Sequence, residues 1–94
     1  LNIYHSLSRE LVENYLYKLT HELLMGVVEE QSQGLHVAEE DKSFIADVYK
    51  YMLVGLMLEW IRGGMKAEPE ALVGRLETVI HGSVRSALER VAVQ

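Results

Sequence analysis

The amino-acid sequence predicts an all-α domain, a three-helix antiparallel arrangement that pairs with a second copy of itself. Three observations carry that expectation. Apolar residues recur every three to four positions over long stretches, and no stretch of comparable strength alternates as a half-buried strand does. Gly63 and Gly64, followed by Pro69, punctuate the chain as the end of one helix and the opening of the next. Hydrophobic residues make up 49% of the 94 residues. A domain this small buries only ~60–65% of the surface its unfolded chain exposes, so so apolar a sequence calls for additional cover.

The first helix is expected from about Leu7 to Gln31. Its row Leu7, Leu11, Tyr15, Leu19, Leu23, Val27 repeats every four residues and, with Val12 and Leu16, forms one broad apolar face. Ser6 or Ser8 suits its N-cap. Leu24 and Val28 point away from that row and offer the last turns a second neighbour. A connection from Gln31 to Glu40 contains Gly34 and ends in two glutamates. Asp41 then serves as N-cap of a second helix running to about Arg62, roughly 33 Å long.

In the first half of the second helix Phe44, Ile45, Val48, Tyr49 and Met52 gather on one side, opposite a polar back of Ser43, Asp47 and Lys50. From Val54 onward that back turns apolar through Met57 and Ile61. A helix that is apolar all round must be covered all round, and two neighbours in a small domain are too few. A third helix is expected from Pro69 to about Val91. Glu68 and Glu70 suit the positive end of its dipole. Its stripe is Leu72, Val73, Leu76, Val79, Ile80, Val84, Ala87, Leu88 and Val91, with small residues Gly82, Ser83, Ser86 and Ala87 along one edge. Gly74 and Gly82 are either sites of close helix approach or merely tolerated at ~1 kcal/mol each.

The pattern Gly55-x4-Trp60-x3-Gly64-Met65, followed by Pro69-Glu70, resembles the C-terminal domain of tetracycline-repressor-like (TetR/AcrR) bacterial transcription regulators. The resemblance spans Leu7 to Val91 and is most specific between Asp41 and Leu76. It implies an all-helical regulatory domain that senses an effector and dimerises through a four-helix bundle built from the last two helices of each subunit. Together with the apolar back of the second helix, it points to Val54, Met57, Ile61, Val79, Val84, Ala87 and Leu88 as interface residues. In such regulators DNA is read by an N-terminal helix-turn-helix, and nothing here resembles that half. A chain that opens at Leu1 instead of a methionine reads as the regulatory part alone, and the expected location is cytoplasmic.

Composition narrows the chemistry. Nine Lys and Arg against 14 Asp and Glu give a formal charge of −5, the wrong balance for autonomous binding to phosphate backbones. No cysteine is present, so disulfides and thiolate nucleophiles are excluded. The longest apolar run, Tyr51 to Leu58, is far short of the ~20 residues a membrane span needs. His5, His21, His36 and His81 lack the i, i+4 spacing of a helical ligand pair, and no Gly-x-Ser-x-Gly or phosphate loop occurs. No metal, cofactor or catalytic residue is expected. His81 lies one turn from Glu77 and suits an exposed ion pair. Glu59 shares a side with Phe44, Val48 and Gly55, either as a polar anchor in a pocket or as an edge ion pair with Arg62.

Tyr15 on the first helix and Tyr49, Met52, Leu56 and Trp60 on the second are either ordinary core or the wall of a cleft. As a wall they would suit a small apolar or aromatic effector. Two other classes fit a small all-helical chain. A dimeric enzyme of the chorismate mutase type would need cationic side chains converging on a dianion, whereas the arginines here sit mainly on polar faces. A helical adaptor without a ligand would need no apolar cleft.

Overall fold

The computed structural model describes the backbone of residues 2–93 and side chains from Arg9 onward. Its elements are α1 (Asn2–Gln31), α2 (Glu39–Arg62), α3 (Pro69–Ile80) and α4 (Ser83–Val91), and the only extended pairing among the described residues is one isolated bridge between His36 and Val93. The fold is all-α, as the sequence predicts. The helix α1 starts at Asn2, so Ser6 and Ser8 lie inside it and do not cap it. The side chains of His5 and Leu7 lie outside the described residues.

Gly34, at φ 84°, turns the chain after α1, and the N-cap of α2 is Ala38 in extended conformation, three residues earlier than the expected Asp41. Glu39, Glu40 and Asp41 then occupy the first turn, where carboxylates face the positive end of the helix dipole. At the far end the backbone N–H groups of Gly63, Gly64 and Met65 bond to carbonyls of Glu59, Ile61 and Trp60. Gly64 (φ 88°) takes the left-handed conformation, together with Met65 (φ 55°). The Trp60 indole Nε1 donates to the Ala67 carbonyl at 2.8 Å and pins the corner. Pro69 stands at the start of α3 as expected.

The expected third helix is two helices. Gly82 sits at φ 75° and breaks it after His81. The break resets the helical phase, so the stripe from Leu72 to Val91 is not continuous. Val84, Ala87 and Leu88 turn into the core on α4, while α3 buries no residue and leaves Val73 and Val79 in solvent.

The core forms where the second half of α1, the first half of α2 and α4 converge. Leu24, Val28, Ile45, Ala46 and Leu88 are buried there, with Tyr49, Leu53 and Val84 packed against them. Full burial of a side chain such as Leu88 is worth about 1.5–3 kcal/mol relative to exposure. The helix α1 uses Leu24 and Val28 for this contact, the two residues that the sequence offers to a second neighbour, and Thr20 one turn earlier is buried as well. Its conspicuous row Leu11, Tyr15, Leu19, Leu23, Val27 is left on the surface. Beside the core contact Lys42 Nζ reaches Glu29 at 3.1 Å, and Asp47 lies 3.4 Å from His21 Nδ1 and 3.1 Å from Lys50 Nζ.

Candidate ligand cleft and apolar faces

A cleft of about 450 Å³ opens at the elbow between α3 and α4. Leu24 and Val27 of α1 and Leu53 of α2 face Ile80 at the end of α3 and Val84 at the start of α4, making its walls largely apolar. Tyr49 enters from α2, and its hydroxyl shares a 2.6 Å hydrogen bond with Ser83 Oγ, the first residue of α4. Charged groups stand along the lining already engaged. Glu77 meets His81 at 2.7 Å across one turn. Arg85 Nη1 donates to the carbonyls of Gln31 and Gln33 at 2.6 and 3.0 Å, closing α4 onto the C-terminal end of α1. Its Nε reaches Glu89 at 3.4 Å. A guanidinium at the carbonyl end of a helix satisfies acceptors that have no partner within that helix.

The structure brings only one of the expected pocket residues, Tyr49, to this cleft. Tyr15 is 64% exposed on the outward row of α1 and does not line it. Met52, Leu56 and Trp60 continue the Tyr49 face along α2, but beyond the cleft, and Trp60 is engaged with the α2–α3 corner. Sequence reasoning missed Leu24, Val27, Leu53, Ile80 and Val84 because the cleft depends on the break at Gly82. A glycine followed by serine at 82–83 was the available signal.

The expected interface residues divide. Val54 and Leu88 are completely buried within the protomer and present no surface to a second chain. Val84 and Ala87 pack against the protomer's own core. Met57 is half-buried, and Ile61 and Val79 are exposed, Val79 to 80%. The open face of α2 is instead Phe44, Val48 and Gly55, which helical spacing aligns and which are all exposed, while Tyr51 on the same side has its ring centroid 5.6 Å from that of Tyr17 on α1. A Cβ built on Gly55 meets nothing within 4 Å, so that face is open to close approach.

Glu59 and Arg62 lie 3.9 Å apart and are both exposed, which makes them an edge ion pair. His81 pairs with Glu77 as the spacing suggests. His21 Nδ1 is buried without a hydrogen-bond partner, although the Asp47 carboxylate, which accepts from Lys50, lies 3.4 Å away. The hydrogen bond to Glu29 holds the Lys42 ammonium above the usual lysine range against the opposing effect of desolvation, with Glu39 adding to the rise. For Lys50, desolvation pulls downward most strongly, yet the hydrogen bond and charge of Asp47 together leave it raised. No group of His, Asp and Glu among the described residues is arranged to hold a metal ion. Of Arg9, Arg62, Arg75, Arg85 and Arg90, Arg85 alone lines the cleft. No helix among the described residues is long and apolar enough to cross a membrane.

The chain belongs to the TetR-type family described as the transcriptional regulator C-terminal region, which matches residues 1–82. No curated protein and no solved structure matches it.

Proposed function

We propose that this chain is the ligand-sensing and dimerisation domain of a cytoplasmic TetR/AcrR-type regulator. Effector binding alters the spacing of DNA-reading heads carried by a separate helix-turn-helix. The observation that supports this most is the exposed apolar face of α2 at Phe44 and Val48, in a chain of this family. Phe44 and Val48 each forgo up to about 1.5–3 kcal/mol while exposed. A two-fold axis lets the same patch cover itself, with Gly55 admitting the partner helix and exposed Val79 of α3 extending the contact. The net charge of −5 keeps phosphate backbones away from this part of the regulator.

Sedimentation equilibrium over a range of concentrations tests the pairing. The wild-type chain is expected to be dimeric, and Val48→Glu is expected to shift it to a folded monomer by stranding a carboxylate at the contact. A monomeric wild type, or a Val48→Glu dimer of unchanged affinity, contradicts the reading. In a gel-shift at physiological salt the chain alone is expected not to retard a candidate operator.

A further inference from the structure

We infer that the cleft at the α3–α4 elbow binds a neutral molecule with an apolar body and one hydrogen-bonding group, and that its occupancy sets the direction of α3. This rests on the regulatory reading above and adds to it a place, a ligand class and a route of transmission.

The ligand class follows from what the cleft offers. Its walls are Leu24, Val27, Leu53, Ile80 and Val84, and its size of about 450 Å³ lies in the range of small-molecule sites. Glu77 and His81 engage each other, and Arg85 is divided among two carbonyls and Glu89, so an ionic ligand would have to displace an existing partner. The Tyr49 and Ser83 hydroxyls hold two protons between them and use one in their mutual bond. With Ser83 as the donor, the Tyr49 hydroxyl, which lines the cleft, keeps its proton to donate to a ligand.

The route of transmission follows from the elbow. No residue of α3 is buried, so its direction depends on its two joints, the corner pinned by Trp60 and Ala67 and the elbow at His81–Gly82, more than on packing. A molecule lodged against Ile80 fills the inside of that joint. Tyr49 ties the same spot to α2 through the first residue of α4. If α3 carries part of the dimer contact, ligand and partner affinities are coupled and each strengthens or weakens the other by the same factor.

The test uses the 94-residue chain with 2-naphthol as probe and naphthalene-2-sulfonate as its anionic counterpart. Amide shifts in NMR titrations should map 2-naphthol to Leu53, Ile80 and Gly82, with the sulfonate binding at least tenfold more weakly. Tyr49→Phe should weaken 2-naphthol about fivefold, the loss of one hydrogen bond. Val27→Trp, at a partly exposed wall position, should block the cleft while leaving the fold intact by circular dichroism. Because the chain has no cysteine, spin labels on Lys18→Cys and Val73→Cys can report the position of α3. The distance distribution should shift or narrow when 2-naphthol is added. Shifts that map elsewhere, equal binding of the sulfonate, or unchanged binding to Val27→Trp would overturn the site. Binding without any change in the distance distribution would overturn the transmission. Either failure with the sedimentation dimer intact removes this inference and leaves the regulatory reading standing.

Discussion

Gly82 decides more about this domain than any other single residue. At φ 75° it takes a conformation that L side chains adopt only with strain, and a Cβ there meets nothing within 4 Å. The cost of Gly82→Ala is therefore conformational, about 1 kcal/mol, and should appear as a lower midpoint in urea. Gly74 offers the opposite case. It sits inside α3 with open space around it, so Gly74→Ala should raise stability by up to about 1 kcal/mol through helix propensity. The sequence treats the two alike, since each stands in an apolar stripe that reads through it without interruption. By contrast, the corner at Gly64 and Pro69 was legible, because two adjacent glycines and a nearby proline leave few alternatives. Even there the left-handed geometry falls on Gly64 and Met65, with Gly63 at φ −78°.

At the scale of the element, α1 shows why apolar periodicity locates a helix more surely than it orients one. Two apolar rows run along it, and the longer one, Leu11 to Val27, is the more obvious to read. The helix packs by the shorter row, where Leu24 and Val28 join Ile45, Ala46 and Leu88 in one buried cluster. Mutations separate the faces. Leu24→Ala and Val28→Ala should each cost about 2–4 kcal/mol in chemical denaturation, the expense of an internal cavity. Leu11→Gln and Leu23→Gln should change the midpoint by less than ~0.5 kcal/mol in the isolated chain. Large losses from the outward pair would show that α1 is covered on that side as well. The same limit applies to α2, where the sequence placed the interface on Val54, Met57 and Ile61. Burial of Val54 is met inside the protomer, and the face left open is one that sequence grouped with the core.

The whole molecule measures 55 × 27 × 15 Å with a Cα radius of gyration of 15.7 Å. A compact chain of this length would have a radius near ~12 Å. The least dimension is little more than one helix with its side chains, ~10–12 Å. So flat a body cannot enclose 49% hydrophobic residues, so the assignment of residues to inside or outside was not legible in the sequence, although periodicity made the helices so. If a second copy supplies the missing cover, stability depends on concentration. The melting temperature should rise steadily as protein concentration is raised over two decades, whereas a monomer gives a constant value. Small-angle scattering on the same dilution series should return a radius near the single-chain value only at the lowest concentrations.

The exposed state of α3 also fixes the order in which the structure comes apart. With no buried side chain of its own, it belongs to the part of the molecule that opens locally at little cost, long before the core around Leu24 and Leu88 is disturbed. Amide hydrogen exchange should therefore run through α3 first, and its protection should rise when a partner or ligand holds it. The Trp60–Ala67 bond lies at the root of that arm. As the sole indole in the chain, Trp60 should report the early opening in its emission while far-ultraviolet ellipticity has scarcely changed.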